Sequence, residues 1–346
     1  MGKVAVLGAG SWGTALAMVL HDNGHDVRLW THIESHAKEM NETHTNNNYL
    51  PGVTIPAGLQ AYHDLSDAVE QVSAIIFVLP TTAIRSVCKQ VGAVLKHKVT
   101  MIHGTKGIEP VTFKRISEMM EEELPRELFE EIVVLSGPSH AEEVSIKQPT
   151  TVTAASRSKV AAKRAQDLFM NQHFRVYTGT DLIGVELGGS LKNIIALGAG
   201  ISDGLGYGDN AKAALVTRGL TEIARLGTAM GADPLTFVGL TGVGDLIVTC
   251  TSVHSRNWKA GNLLAKGHTL DSVLDQMGMV VEGVRTAQAA YQLAEAKGIQ
   301  MPITTGIYHI LFESAEPRDV VDQLMTRMRR QETDEVHAML KEHYQD

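Results

Sequence analysis

Lys192 stands in the middle of an apolar, glycine-rich run, residues 184–200 (GVELGGSLKNIIALGAG). Wound at 3.6 residues per turn, Val185, Gly188, Gly189, Lys192, Ala196 and Ala199 share one helical face. An ammonium held among apolar neighbours has its pKa lowered toward neutrality, the range in which a lysine can exchange a proton with a substrate. Glycine inside a helix costs about 0.5–1 kcal/mol relative to alanine. The glycines beside Lys192 therefore mark a place where another backbone or a ligand comes close. The same residues also fit a tightly packed helix pair whose lysine reaches solvent at one edge.

A second polar cluster lies further along. Thr241-Gly-Val-Gly-Asp245 reads as the opening of a helix that puts Asp245 and Thr249 one turn apart on one face, and Ser255-Arg256-Asn257 comes soon after. An acid that can orient a lysine, a hydroxyl and an arginine together suit a small phosphorylated alcohol. Arg256 can grip phosphate through its planar fork. An N-cap aspartate and a surface arginine would account for the same letters.

The elements that must position these groups begin at the N-terminus. Residues 3–7 (KVAVL) read as a buried parallel strand, Gly8-Ala-Gly10-Ser11-Trp12-Gly13 as a loop, residues 14–23 as a helix ended by Gly24, and residues 25–30 as a second strand. In this G-x-G-x-x-G pattern Gly8 makes the turn, Gly10 admits a pyrophosphate and Gly13 packs helix on strand, so the unit predicts dinucleotide binding. An NAD site expects an acid at the end of the second strand, where this chain has Thr31-His32. NADP is therefore favoured or at least admitted, with Glu34 as a substitute acid in the alternative. Further strands at 74–79, 99–103, 132–135, 151–154 and 174–177 alternate with helical segments and predict a doubly wound parallel sheet. Pro80, Lys106 and Gly137–Ser139 fall at strand carboxyl ends, where such sheets bind ligands. Lys106 is thus a second basic candidate, or else an exposed loop lysine.

These patterns predict an α/β chain in two parts. Residues 1–181 form a dinucleotide-binding Rossmann-type domain, with an acidic, solvated helix face near 117–131. Residues 182–346 form an all-helical domain, with helices at 185–200, 210–227, from Asp233-Pro234, 283–297, 302–314 and 320–344. The 31 basic and 39 acidic residues leave a net charge of −8, which argues against non-specific nucleic-acid binding. Two cysteines, Cys88 and Cys250, make no disulfide framework and favour a reduced, cytoplasmic setting. No leader or membrane span is read. The pairs His21/His25 and His32/His36 lack the glutamate of a zinc-hydrolase motif, and no metal is expected.

The ordered set GAGSWG (8–13), GTKG (104–107), SGPSH (136–140), GGSLKN (188–193), GVGD (242–245), SRN (255–257) and VVEG (280–283) resembles the bacterial NAD(P)-dependent glycerol-3-phosphate dehydrogenases. The resemblance spans nearly the whole chain. It implies a Rossmann domain followed by a helical domain like the C-terminal domain of 6-phosphogluconate dehydrogenase. It implies interconversion of dihydroxyacetone phosphate and sn-glycerol 3-phosphate, supplying glycerophospholipid synthesis, in a homodimer. By the same resemblance Lys192 is the proton donor and acceptor, with Lys106 and Asp245 beside it. Gly8, Gly10, Ser11, Trp12, Gly13, His32, Lys106, Ala141, Arg256, Val280 and Glu282 meet NAD or NADP. Lys106, Gly137, Ser139, Lys192, Asn193, Asp245, Ser255, Arg256 and Asn257 meet the substrate, with Asn193 and Asp245 holding the Lys192 ammonium in line. Rival readings are a dehydrogenase of a hydroxy or sugar acid and a non-catalytic NADP-binding sensor.

Overall fold

The computed structural model describes residues 2–278, 280–328 and 331–332. They fall into two compact units: residues up to Thr105 with Ile116–Leu182, and Lys106–Arg115 with the chain from Ile183 onward. The ten residues from Lys106 thus pack with the helical unit, against the simple division at residue 181 read from the sequence. Nothing in their local pattern announces it.

The first unit is built on an eight-stranded sheet: β1 (Lys3–Leu7), β2 (Asp26–Trp30), β3 (Gln60–Tyr62), β4 (Ala74–Phe77), β5 (Thr100–His103), β6 (Ile132–Ser136), β7 (Thr150–Ala155) and β8 (Phe174–Gly179), in spatial order β8-β7-β6-β5-β4-β1-β2-β3. Val4–Leu7, Ala74–Phe77 and Ile132–Ser136 are buried throughout, as strands covered on both faces must be. The sheet is not wholly parallel as expected: β7 and β8 pair parallel with each other, but β7 runs antiparallel to β6. The helix between β6 and β7, Ala141–Ser145, has five residues and rises only about 7 Å, too little to carry the chain back along a strand. Strand β3 and a two-stranded ribbon (Thr45–Asn46 with Leu50–Thr54) carry too little apolar pattern to be read from sequence. The first helix starts at Ser11, three residues before its apolar periodicity. The expected acidic helix is Ile116–Glu123, with Met119 and Met120 buried; Glu122 is exposed, but Glu123 is turned onto Arg85 at 2.7 Å.

Among the described residues the second unit is helical except for one isolated bridge between Ile108 and Arg115. Its centre is the helix Leu182–Gly204, buried without interruption from Gly184 to Ser202. This helix is long and apolar enough to cross a membrane by composition, but 89% of its apolar window is buried inside the protein, which makes it a core helix. Around it stand Asp209–Ala229, Arg256–Ala265, Leu270–Met277, Glu282–Lys297, Pro302–Phe312 and Pro317–Met325. Leu270–Met277 has no counterpart among the helices expected from sequence. The last helix ends at Met325, short of the expected 320–344 span, of which residues 329–330 and 333–344 lie outside the described residues. Asp233 does act as an N-cap, accepting from the Leu235 N–H, but the turn it caps is 3₁₀ rather than α. Buried Glu222 receives the N–H groups of Ile303 and Thr304 at 2.6 and 3.0 Å and so closes the start of Pro302–Phe312.

Glycines let backbones touch here. A Cβ on Gly200 would lie 2.0 Å from the Trp258 carbonyl oxygen, and one on Gly261 would lie 2.0 Å from that of Leu197. The central helix and Arg256–Ala265 therefore meet backbone to backbone. Gly261→Ala should destabilise the protein by about 1–3 kcal/mol or more, read as a lower urea midpoint with unchanged slope. An unchanged midpoint would show that the two helices can separate without cost.

Candidate active site

In the first unit, Gly8 has φ 118°, and a Cβ there would stand 2.2 Å from the Val78 carbonyl oxygen. A Cβ on Gly13 would stand 1.8 Å from the carbonyl oxygen of Gly8. These two glycines are fixed by packing. Gly10 is different: it caps the helix Ser11–Asp22 without a side-chain hydrogen bond, and a Cβ on it would meet nothing within 4 Å. Open space thus lies before a helix N-terminus, the arrangement that suits a pyrophosphate. The loop is held by Asn46, whose amide donates to the Ala9 carbonyl at 2.9 Å and to Thr14 Oγ1 at 2.8 Å, while its oxygen meets His36 Nε2 at 3.0 Å. Asn46 lies in a stretch without periodicity, so sequence reasoning missed it.

Ser11 Oγ donates to the Tyr49 carbonyl at 2.5 Å. Trp12 Nε1 is buried with no hydrogen-bond partner among the described residues, and a Cβ on Gly104 would come within 3.0 Å of it. After β2, Thr31 is buried while His32 and Glu34 are exposed. Buried Arg28 donates to the Asp67 carbonyl and lies over the Tyr62 ring, which engages its charge away from the strand end. Gly137 has φ 144°, and a Cβ on it would come within 3.0 Å of Val152 Cα. Ser139 Oγ turns back onto the Gly137 carbonyl at 3.0 Å, and Ala141 opens the short helix Ala141–Ser145.

In the second unit, Lys192 is 6% exposed. Its ammonium donates to Asp245 Oδ1 at 2.5 Å and to Thr249 Oγ1 at 2.6 Å. Thr249 in turn donates to the Asp245 carbonyl at 2.6 Å. The other carboxylate oxygen, Oδ2, receives Lys106 Nζ at 2.7 Å, so one buried carboxylate serves two ammonium groups. Burial drives the Lys192 pKa down to about 8; Asp245 opposes the shift and the Lys106 cation adds to it. Among the described residues two of the three Lys192 N–H donors are engaged, which leaves one for a ligand oxygen.

Of the two readings of the glycines beside Lys192, another backbone or a ligand, Gly188 takes the first. A Cβ on Gly188 would stand 2.6 Å from the Thr241 carbonyl oxygen. The space at Gly188 holds backbone, not a ligand, and this approach brings the Asp245 segment onto the helix. That segment, Leu240–Gly244, is a π-helical turn that runs directly into Asp245–Thr251. Gly242 permits the turn, since a Cβ there would stand 1.9 Å from the Phe237 carbonyl oxygen.

Asn193 does not orient the ammonium as expected. Its Oδ1 accepts from Asn257 Nδ2 at 3.0 Å, and Asn257 Oδ1 accepts from the Gly283 N–H at 2.9 Å. Gly283 is again a contact glycine, its Cβ position 2.7 Å from the Asn193 carbonyl oxygen. Ser255 is the N-cap of Arg256–Ala265, accepting from the Trp258 N–H at 3.2 Å. Arg256, exposed, donates to the Val280 carbonyl at 3.2 Å. Val280 is 38% exposed, and Glu282 begins the helix Glu282–Lys297. The structure thus joins Lys192, Asp245, Thr249 and Lys106 in one cluster, and Asn193, Asn257 and Gly283 in a second. Among the described residues no three His, Cys, Asp or Glu side chains gather as a metal-binding group.

Comparison with known proteins gives a consistent answer. Residues 3–162 match the N-terminal model of NAD-dependent glycerol-3-phosphate dehydrogenase, and residues 181–322 match its C-terminal model. A glycerol-3-phosphate dehydrogenase [NAD(P)+] of Oceanobacillus iheyensis is 63% identical over 346 residues, all of both chains. One from Bacillus cytotoxicus is 61% identical over 97% of this chain and 98% of its own. The crystal structure of glycerol-3-phosphate dehydrogenase from Coxiella burnetii superposes with a TM-score of 0.90 at 40% identity, covering 94% of this chain and 99% of that one. Both halves of the sequence, the sheet with its open glycine cradle and the helical unit with its buried lysine lead to one assignment: the chain belongs to the NAD(P)-dependent glycerol-3-phosphate dehydrogenase family.

Proposed function

We propose that this protein interconverts dihydroxyacetone phosphate and sn-glycerol 3-phosphate, running as a reductase that feeds glycerophospholipid synthesis in the cytoplasm. The observation that carries the reading is the Lys192 ammonium: buried, braced by Asp245 and Thr249, and lowered to a pKa of about 8. The open cradle at Gly10 fits a dinucleotide, with Gly8–Gly13 around its phosphates. A bound reduced nicotinamide supplies the hydride. As negative charge grows on the C2 oxygen of the ketone, Lys192 passes its proton to that oxygen. In the reverse direction neutral Lys192 takes the proton from the C2 hydroxyl. Lys106 adds positive potential beside the developing oxyanion, which is worth most in a site with little water. Asp245 and Thr249 keep the ammonium in one orientation throughout.

Arg256, at the first turn of its helix, is the phosphate grip in this reading, with Ser255 setting the turn and Asn257 fixing the helix to Asn193. Remote phosphate binding orients the reacting carbon. Arg256→Ala should raise KM for dihydroxyacetone phosphate about tenfold or more, the loss of one charge-assisted contact. An unchanged KM would remove the arginine from the phosphate site.

NADPH is the favoured cofactor, because no acid ends β2 and Thr31-His32 stands there instead. A homodimer is proposed from the family resemblance. One assay separates the readings: oxidation of NADPH and of NADH, followed in parallel by the absorbance of the reduced nicotinamide, with dihydroxyacetone phosphate varied against keto acids. Turnover only with keto acids, or none with any ketone, would overturn the assignment.

A further inference from the structure

Lys106 is the only member of the Lys192 cluster that does not come from the main body of the helical unit. It heads a ten-residue segment, Lys106–Arg115, pinned to the Lys192 helix at two points. At one end the Gly107 N–H donates to Ser190 Oγ at 2.8 Å, and Ser190 donates back to the Glu186 carbonyl at 2.7 Å. At the other end Arg115 forms a buried ion pair with Glu186, one helical turn before Ser190. Ile108 and Phe113 join the helical core between the pins. The segment folds back on itself, with Ile108 bridged to Arg115 and the Glu109 N–H on the Lys114 carbonyl at 2.9 Å. Its tip holds Val111 and Phe113 at φ 73° and 58°, an unfavourable left-handed conformation for such side chains. Backbone of this kind persists where the surroundings hold it.

Resting on the function proposed above, we propose that Ser190 and the Arg115–Glu186 pair are positioning residues: they set the Lys106 ammonium on Asp245 beside the Lys192 proton shuttle. A fully buried ion pair is at best a modest source of stability, since its desolvation offsets most of the attraction. Its geometric effect is specific. Glu186, Ser190 and Lys192 lie on one helix within two turns, so pinning the segment to the first two fixes Lys106 relative to the third. The ionisable groups facing Lys192 are Asp245, Lys106 and Cys250; burial pushes the Cys250 thiol up to about 12, so it stays neutral. Lys106 is the one cation among these three. If the segment loosens, Lys106 can turn to solvent, Lys192 keeps Asp245 to itself, and its proton is held more tightly.

The test compares the full-length protein with Ser190→Ala, Lys106→Gln and their double variant. Carbon-13 placed at lysine Cε reports the Lys192 titration by NMR without substrate, and the pH profile of reduction reports it in turnover. In Ser190→Ala the Lys192 midpoint should rise by about one pH unit. The alkaline limb of reduction should move the same way. Lys106→Gln should give the same shift, and the double variant no more than either alone. Glu186→Gln removes the negative charge facing buried Arg115 and can fail to fold; Ser190→Ala removes only the neutral hydrogen bonds of one hydroxyl and avoids this. A lower activity with an unmoved midpoint in Ser190→Ala would mean a purely structural contact and overturn the proposal. If the midpoints shift as expected while wild-type protein reduces no dihydroxyacetone phosphate, the positioning role stands and the substrate assignment falls.

Discussion

Lys192→Met should lower kcat/KM for dihydroxyacetone phosphate on the order of 10²–10⁴-fold, the range general acid–base catalysis supplies, and leave NADPH affinity unchanged. The two effects separate because the Gly8–Gly13 loop, proposed above to hold the dinucleotide phosphates, belongs to the other unit. Methionine keeps the length and apolar stem of lysine in a place that is 6% exposed, so packing is preserved. Asp245 is not orphaned either, since Lys106 remains at 2.7 Å from its second oxygen. What disappears is one proton. In the proposed mechanism reduction needs Lys192 protonated, and burial brings its pKa down to about 8. In the parent, reduction should therefore be full below that pH and fall as pH rises through it, while oxidation of glycerol 3-phosphate rises over the same window. Both limbs should vanish in Lys192→Met. Stopped-flow measurement of cofactor oxidation, with binding followed by nicotinamide fluorescence, checks each half. A variant that turned over near the parental rate, or that kept the alkaline limb, would place the proton elsewhere.

The sequence made some of this arrangement legible and hid the rest, for physical reasons that differ by residue. The cradle at Gly8–Gly13 is local: strand, turn and helix succeed one another within a short stretch, and Gly8 and Gly13 answer to backbone after the neighbouring strand and close in the chain. The Lys192 helix is also local, since its burial is written in its own composition. Its partners are not. Asp245 is 53 residues away and Glu186 pairs with an arginine 71 residues before it. No periodicity carries such a distance. Gly188 left backbone and ligand both open, because a missing side chain reads the same whichever fills the gap. The Asn193–Asn257 hydrogen bond was hidden because an amide with two donors and an acceptor fits many partners until one is seen. The reversal of β7 was hidden because a strand's composition does not encode its direction. Only the shortness of the Ala141–Ser145 helix, five residues, could have signalled it.

Asp245→Asn tests the other half of the cluster and should move it in the opposite direction from Ser190→Ala. The carboxylate accepts from two ammonium groups through its two oxygens. An asparagine in its place offers one acceptor, and its N–H₂ then faces the second cation. Lys106, with a fifth of its side chain exposed, can turn to water; Lys192 is enclosed and cannot. Removing one partner from a buried ion pair costs about 3–5 kcal/mol, and a lysine avoids that cost by shedding its proton. The Lys192 pKa should fall below its present value of about 8, because the carboxylate that raises it is gone while burial remains. Reduction at neutral pH should then drop on the order of 10²-fold. Its alkaline limb should shift to lower pH, so that acidifying the assay recovers part of the rate. The carbon-13 titration reads the same shift directly. Since Ser190→Ala takes a cation away from Lys192 and Asp245→Asn takes the anion away, the two midpoints should straddle the parental one. If both moved the same way, the charge balance around Lys192 would not be what sets its proton affinity.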